Sequence, residues 1–320
     1  MANIELAVQN GSTIYYPAVE ENITWSTERK GSPGTLKFSV VKDASLNFQE
    51  GNPVMIRIDD YNLFKGFVFQ KGRDKGNTIS VTAYDQLRYF KNKDTYVYEN
   101  KTASQFLKMI ASDFMLKVGN IEDTGFKIPS RVEDNKTLFD MVQTAIDLTL
   151  QNKNKLFVLY DDFGTLTLKN VESMKLDLLI DEETGENFSY TSTIDGDTYN
   201  KIKLAYDNEK TGKREIYIAQ DSRNINNWGV LQFFEKIEEK INGKAKADAL
   251  LQLYNKKTRN LVIKNAFGDP RVRAGSAVAV RLNLGDVIAQ NYMMVEKAKH
   301  TFRNGEHWMD LTLRGGEFIA

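Results

Sequence analysis

Residues 50–85, EGNPVMIRIDDYNLFKGFVFQKGRDKGNTISVTAYD, carry the clearest strand pattern of this chain. Apolar and polar residues alternate over 54–58, and two further apolar runs follow at 64–70 and 79–84, with turn-forming residues between them. A period of two is typical of strands with one buried face, and Asn, Asp and Gly are typical of the turns that join such strands. The stretch therefore predicts a three-stranded β-meander.

A similar pattern returns near the C-terminus, over residues 274–315. One common offset places Gly51 on Gly275 and Arg57 on Arg281, and the apolar residues around them also match. Each copy continues with a long apolar strand, a hairpin turn containing basic residues and glycine, and a last strand. The identities are few, so an internal duplication and two independent meanders both remain open.

Composition describes an ordinary globular chain of 320 residues, with 43 basic and 43 acidic side chains and no cysteine. The length allows two or three domains. Balanced charge gives no overall attraction to nucleic acid or to an anionic membrane, and the absence of cysteine excludes disulfides and thiolate metal sites. The N-terminus has no signal-peptide pattern, and no apolar run reaches the ~20 residues of a membrane span. We therefore expect folding in the cytoplasm, without nucleic acid or membrane as partners.

The pattern changes twice along the chain and predicts an α+β protein that is mainly β. Residues 1–100 are almost entirely short strands between Gly and Pro turns, which we interpret as a first β-barrel. Residues 101–182 predict an α+β domain of two helices and a β-hairpin. Residues 183–320 predict a second β-barrel, related to the first, with a helical insertion at about 224–257.

Four segments show the apolar spacing of helices. In the α+β domain, Thr or Ser within 102–104 can cap a first helix, and Asn or Thr within 135–137 can cap a second. In the insertion, the apolar residues of 233–241 predict one amphipathic helix and those of 245–255 predict another.

The two histidines, His300 and His307, lie on predicted strands of the second meander. Neither belongs to a catalytic motif, and their spacing of seven offers no supported geometry for a metal site. We interpret both as structural residues. The sequence thus predicts no metal site.

Residues 161–164 read Asp-Asp-Phe-Gly, and the last three spell a magnesium-binding motif of protein kinases. The glycine-rich loop, the strand lysine and the catalytic loop of that class are absent, whereas a hairpin turn requires just such residues. The adjacent carboxylates predict a solvated turn rather than an acid–base pair. We therefore predict no catalytic residues, no cofactor and no enzymatic activity.

Arg57 and Arg281 occupy equivalent positions, and by alternation both face away from the core. Either they are ordinary exposed strand residues, or they form ion pairs between subunits at equivalent places. Together with Gly51 and Gly275 they are the candidate structural or interface residues of the chain.

Several segments resemble the XkdQ/YqbQ family of phage-like tail proteins. No segment is chemically specific, and the resemblance rests on their number and order along the whole chain. The segments are residues 16–19, 23–25, 31–38, 48–51, 82–89, 227–232 and 272–276.

The resemblance implies a structural baseplate hub of a contractile tail, from a bacteriophage or a tailocin, with a fold similar to VgrG-type hubs. Such a hub is a homotrimer whose two barrels per subunit form a pseudo-sixfold ring between the tail tube and the central spike. The implied partners are the tail tube or a tube-initiator protein, the spike protein and baseplate wedge proteins. The implied location is the bacterial cytoplasm during assembly and then the baseplate of the virion or tail-like particle.

Two other classes remain open. A stand-alone β-barrel module that binds a carbohydrate or a peptide predicts a monomer with an exposed aromatic groove. A tail-associated hydrolase predicts a converging acid–base pair or a metal site.

Overall fold

A computed structural model describes residues 3–20, 22–208, 212–237, 241–283 and 288–315 of the chain. The chain divides into two compact units. The first unit comprises Met1–Leu150, Lys155–Ser189 and Leu261–Ala320, and the second comprises Gln151–Asn154 and Tyr190–Asn260. The three-domain division, with boundaries at residues 100 and 182 and an insertion at about 224–257, stays a prediction.

The first half of the chain alternates between strands and two long helices. Its elements are β1 (Ile4–Asn10), β2 (Thr13–Tyr15), β3 (Ile23–Glu28), β4 (Thr35–Val41), β5 (Pro53–Ile58), β6 (Tyr61–Arg73), β7 (Thr78–Tyr84), β8 (Lys93–Lys101), α1 (Ala103–Asp113), β9 (Val118–Ile121), β10 (Ile128–Thr137), α2 (Leu138–Lys153), β11 (Phe157–Asp161) and β12 (Leu166–Asn170).

The second half contains shorter helices and a longer final meander. Its elements are β13 (Lys175–Asp181), β14 (Gly185–Thr193), β15 (Lys201–Asn208), β16 (Lys213–Gln220), α3 (Ser222–Trp228), β17 (Gln232–Lys236), α4 (Gly243–Tyr254), β18 (Thr258–Phe267), β19 (Ala277–Asn283), β20 (Ile288–Arg303) and β21 (Glu306–Arg314). Two 3-10 helices, Gln86–Lys91 and Val171–Met174, complete the described elements.

The largest sheet contains thirteen of the described strands. Its order is β14-β18-β21-β20-β3-β4-β7-β6-β5-β1-β2, with β19 also beside β20 and β13 beside β19. The chain is thus mainly β, as predicted, but among the described strands this order does not close on itself. The prediction of two related β-barrel domains is therefore not confirmed. The reason is β20, whose 16 residues pair with β19 over the first part and with β3 over the second, so that all these strands form one sheet.

Both predicted meanders are present in this sheet. Strands β5, β6 and β7 pair in sequence, and so do β19, β20 and β21. The alternation seen in the sequence sets their buried faces: Val54, Ile56 and Ile58 of β5 are all buried. Burying a side chain of this size stabilises the fold by about 1.5–3 kcal/mol. Because a shift of one residue would expose the whole set, this pattern also fixes the register.

The predicted helices of the α+β segment form as expected. Thr102 caps α1 in a capping box with Gln105, and the Thr137 hydroxyl accepts a hydrogen bond of 3.1 Å from the Asp140 amide at the start of α2. The Asp-Phe-Gly residues lie in the hairpin turn between β11 and β12. Phe163 and Gly164 there have φ values of 46° and 87°, as the central residues of a two-residue hairpin loop require.

The second unit contains a mixed sheet of order β16-β15-β17 and helix α4. Helix α4 confirms the helix predicted over 245–255. The helix predicted over 233–241 is wrong where it can be judged, because residues 232–236 form β17, parallel to β15. Residues 238–240 lie outside the described residues. Apolar residues four positions apart, such as Phe233 and Ile237, also lie on one face of a strand, because side chains alternate along it. The backbone groups on the second edge of β15 need hydrogen-bond partners, and β17 supplies them.

Within the described part of the chain, no helix is long and apolar enough to cross a membrane.

Candidate functional site

The repeat in the structure extends beyond the meander. In the first copy the sheet order is β3-β4-β7-β6-β5-β1, and in the second it is β14-β18-β21-β20-β19-β13. In chain order, β1, β3, β4, β5, β6 and β7 of the first copy take the same places in the sheet as β13, β14, β18, β19, β20 and β21 of the second. The copies differ in one orientation, since β1 is antiparallel to β5 whereas β13 is parallel to β19. The described residues therefore contain the same arrangement of six strands twice.

Gly51 and Gly275 occupy the same backbone position in the two copies. Their φ values are 86° and 94°, in the region that favours glycine. The Gly51 amide donates to the Val68 carbonyl at 2.7 Å, and the Gly275 amide donates to the Val295 carbonyl at 2.8 Å. In return, each valine amide donates to the carbonyl of the residue after the glycine. The match predicted from the sequence is thus reproduced in local geometry.

A β-bulge follows this contact in both copies. Pairing of β6 with β7 shifts after Val68, and pairing of β20 with β21 shifts after Val295. The extra residue is Phe69 in the first copy and Glu296 in the second. A bulge bends its strand and increases the local twist. Beyond its bulge, β20 turns from β19 to β3 as its neighbour.

Arg57 and Arg281 also lie in matching places, each opposite an acidic residue of the neighbouring strand, Glu5 and Asp181 respectively. The Arg57 Nε donates to Asn62 Oδ1 at 2.9 Å, and Arg281 Nη2 donates to Asp181 Oδ2 at 3.2 Å. The Arg281 side chain is 60% exposed, so its ion pair contributes at most about 1 kcal/mol. A role of these arginines between subunits stays a prediction.

A nearly buried ion pair holds the joint between the two copies, where β20 meets β3. Arg29 Nε and Nη2 donate to the two carboxylate oxygens of Glu296 at 2.7 and 2.9 Å, and the Arg29 amide donates to the Glu296 carbonyl at 2.9 Å. The Arg29 side chain is only 6% exposed. Two parallel charge-assisted bonds fix direction as well as distance. The bulge residue of the second copy is thereby bound to the end of β3.

Arg273, just before Gly275, reaches into the interior of the first unit. Its Nη2 donates to the Asp161 carbonyl at 2.7 Å, and its guanidinium lies 3.9 Å from the centre of the Tyr160 ring. A guanidinium stacked on an aromatic ring in a desolvated place is attracted to the negative face of that ring. This residue links the second meander to strand β11.

Two carboxyl groups lie near this arginine. Asp85 accepts hydrogen bonds from the Gly34 and Leu87 amides at 2.8 and 3.0 Å. Burial, reinforced by the Asp161 charge, raises the pKa of Asp85 well above its usual value. Burial also raises the pKa of Asp161 to about 6, against the hydrogen bond from the Gly164 amide.

The prediction of a solvated turn at residues 161–162 is therefore wrong for Asp161, which is 5% exposed. The signal available in the sequence was that Asp161 directly follows the continuous apolar run of residues 156–160. Such a run is typical of a buried strand, and Asp161 is the last residue of the buried strand β11. Gln86 completes the cluster by donating from Nε2 to Asp161 Oδ2 at 3.2 Å. The cluster holds four segments together, and both carboxyl groups are too buried to meet a substrate in this conformation.

His300 and His307 form a hydrogen-bonded pair, because the tight turn at Asn304 and Gly305 folds β21 back onto β20. This contact between the two histidines was not predicted from the sequence. His300 Nε2 donates to the Val272 carbonyl at 2.9 Å, so its Nδ1 is the acceptor for His307 Nε2–H at 2.8 Å.

Burial lowers the pKa of His300 to about 3 and that of His307 to about 4, so both rings are neutral at pH 7. Across the described ranges, no group of three or more His, Asp or Glu side chains is placed to hold a metal ion.

One surface depression of about 590 Å³ bears on the ligand-binding alternative. Residues of β1, of the loop at 16–20 and of the hairpin turn at 303–305 line it. Its exposed aromatic side chain is Tyr16, 63% exposed. A site for a sugar or a peptide usually presents several aromatic and convergent polar groups.

Two known proteins are similar to this chain over nearly its whole length. The chain is 28% identical over 311 residues to the uncharacterized protein YqbQ of Bacillus subtilis strain 168, and 29% identical over 311 residues to the phage-like element PBSX protein XkdQ of the same strain. Each match covers 93% of this chain and 93% of the relative.

Solved structures show where else the fold occurs. A 43 kDa tail protein of prophage MuSo2 from Shewanella oneidensis matches with a TM-score of 0.72 and 13% identity, over 99% of this chain and 100% of the other. The E. coli c3393 protein, a type VI secretion component described as similar to T4 tail proteins gp27 and gp5, matches with a TM-score of 0.56 and 9% identity, over 99% of this chain and 78% of the other. A model of the YqbQ-like family matches residues 23–314, and the chain therefore belongs to the YqbQ-like family.

Proposed function

We propose that this chain is a structural baseplate hub of a contractile phage or phage-like tail. Three chains form a ring that joins the tail tube, or a tube-initiator protein, to the central spike. Baseplate wedge proteins surround the ring. The hub forms from chains made in the bacterial cytoplasm and ends in the virion or the tail-like particle.

The observation that carries this proposal is the repeated six-strand arrangement, with its matching glycine and bulge. A ring of three chains has threefold symmetry, whereas three chains with two equivalent parts present six similar surfaces. A joint between a threefold and a sixfold structure requires such a component. The relatives named as phage-like and tail proteins support the same role.

The role is mechanical and needs no catalytic site. Extensive strand pairing and buried ion pairs such as Arg29 with Glu296 resist separation of the two copies. The buried polar cluster around Arg273 links four segments of the first unit in the same way. Such a body transmits force between its partners without changing shape.

The test is the mass of the purified full-length chain in solution, by native mass spectrometry and sedimentation over a range of concentrations. We expect a trimer, and particles with six similar features in projection by electron microscopy. A monomer at every concentration would contradict the hub and favour the ligand-binding module. Turnover of purified cell wall by the purified chain would favour the hydrolase instead.

A further inference from the structure

The pairing of β20 with β3, which connects the two copies inside one chain, shows how a similar pairing could connect two chains. In the second copy, the part of β20 beyond the bulge pairs with β3 of the first copy, from Lys297 opposite Glu28 to Phe302 opposite Ile23. In the first copy, the part of β6 beyond its bulge, residues 70–73, pairs with β7 on one side. On its other side, pairing with β5 ends at Phe67, and no strand of the described chain continues it.

The strand that matches β3 is β14, which lies at the other end of the repeated order. In β3, Ile23, Trp25 and Thr27 are buried between neighbouring strands. In β14 none of the nine residues is buried, and Phe188 is 40% exposed. An exposed strand edge presents unpaired N–H and C=O groups that another strand can bind. Each copy therefore leaves open the edge that the other copy would fill.

We propose that β14 of one chain, within residues 185–189, pairs antiparallel with residues 70–73 of β6 in the next chain, as β3 pairs with β20 inside the chain. This inference rests on the proposed ring and names the surfaces that close it. The contact is between different patches of two identical chains, and such a head-to-tail contact generates a ring when the rotation closes.

Charge supports this pairing. In an antiparallel arrangement the start of β14 lies beside the end of β6, as Ile23 at the start of β3 lies beside Phe302. Exposed Arg73, Asp74 and Lys75 at the end of β6 and in its turn carry a net charge of +1, whereas the start of β14 carries exposed Glu186, which accepts a hydrogen bond from Asn265. The internal joint has the same kind of pair, since Lys297 Nζ lies 3.1 Å from Glu28 Oε1. Opposite charges that meet across an interface favour one partner and one register.

Engineered disulfides test the geometry, because the chain has no cysteine of its own. Arg73→Cys is combined in turn with Glu186→Cys, Asn187→Cys and Phe188→Cys, which covers the neighbouring registers. We expect one double variant to form a covalent closed trimer under mild oxidation, with loss of the monomer band on a non-reducing gel. Each single variant gives dimers at most. As a matched control, Glu28→Cys with Lys297→Cys forms a disulfide within the chain and leaves the mass unchanged.

Charge reversal tests the energetics. Arg73→Glu and Glu186→Lys each weaken trimer formation by about tenfold or more, and the double variant regains most of the loss, because it restores opposite charges across the contact. Lys108→Glu, an equal change on an exposed position of α1, leaves trimer formation unchanged.

The outcomes separate this inference from the proposed function. A wild-type trimer with no crosslink in any double variant and no effect of charge reversal overturns the pairing of β14 with β6, leaves the hub intact, and means that Arg73 and Lys75 only keep the edge from aggregating. A wild-type monomer without crosslinks overturns both. Open covalent polymers support the strand pairing and overturn the closed ring.

Discussion

The hairpin ends of the two meanders follow matching bulges but have opposite surroundings. Counted from the bulge, Arg73 at the end of β6 and Lys75 in the turn after it correspond to His300 and Phe302 of β20. The first pair is exposed, whereas the second is fully buried, with the Trp25 ring of β3 centred 4.8 Å from that of His300. The difference is the presence of β3 as a neighbour. The same arrangement of strands thus carries charged side chains where it is open and apolar or neutral ones where it is covered.

The largest expected effect is on Phe302, which is 2% exposed and stacks on His307 with ring centres 4.3 Å apart. Phe302→Ala removes this packing and leaves a cavity, so we expect a loss of about 3–5 kcal/mol in the free energy of unfolding. Lys75→Ala, at the matching exposed place, changes it by less than about 0.5 kcal/mol. Urea unfolding of both variants measures the difference, and equal losses would contradict the comparison.

The bulge residues sharpen the comparison, since each contacts an arginine. Glu296 binds Arg29 through two hydrogen bonds, whereas Phe69 lies 5.5 Å from the Arg88 guanidinium. Arg29→Met removes both hydrogen bonds to Glu296 and leaves its Oε1 3.8 Å from Arg314 Nη1, so we expect a loss of about 2 kcal/mol. Arg88→Met removes a partly exposed cation–π contact worth about 0.5–1 kcal/mol. Double-mutant cycles with Glu296→Gln and Phe69→Leu measure the two couplings, and similar values would count against a special role of the joint.

The two glycines differ in their surroundings although their φ values agree. Alanine at either place is strained by about 1–2 kcal/mol. A Cβ on Gly275 would also lie 2.7 Å from Val158 Cγ1, whereas a Cβ on Gly51 meets nothing within 4 Å. We therefore expect Gly275→Ala to lower the melting temperature more than Gly51→Ala. Val158 is 2% exposed, so Val158→Ala lowers stability on its own, and a double-mutant cycle is needed to isolate the clash. We expect Gly275→Ala to cost less in the Val158→Ala background than in the wild type, and equal costs in both would contradict this account.

The smallest expected effect, per pH unit, is the change in the free energy of unfolding that the protonation of His300 and His307 causes. The pKa values of His300 and His307 are about 3 and about 4 in the folded chain, below the ordinary 6.5 of the unfolded chain. Between these values only the unfolded chain takes up protons, so stability falls as the pH falls from 6.5 to 4, by up to about 1.4 kcal/mol per pH unit for each ring. Asp161, with its pKa raised to about 6, acts in the opposite direction between pH 6 and 3.8.

A variant separates the two contributions. His307→Gln removes one titrating ring and leaves Asp161 unchanged, so we expect the stability advantage of the wild type over this variant to shrink as the pH is lowered from 6.5 to 4. Urea midpoints at several pH values measure it. A constant difference over this range would show that the histidine pair does not titrate as its burial requires.

Much of the local structure follows from the sequence. The period of two predicted both meanders, and candidate capping residues within 102–104 and 135–137 predicted the starts of α1 and α2, because these features depend on neighbouring residues alone. The equivalence of Gly51 and Gly275 was visible in the pattern and appears in their backbone geometry. The helix predicted over 233–241 failed because the same spacing also fits β17, and pairing with β15 decided between the two.

The amino-acid pattern alone was enough to predict the alternation of apolar residues in the strands, the turns between them and their buried faces. The sequence also shows membership of the YqbQ-like family. Contacts between distant segments are needed for β20 to join both copies in one sheet, for Asp161 and His300 to be buried, and for particular strand edges to be covered. Strands pair through backbone N–H and C=O groups that nearly every residue carries. The side-chain pattern therefore shows that a face of a strand is buried, but it does not identify the strand that pairs with it.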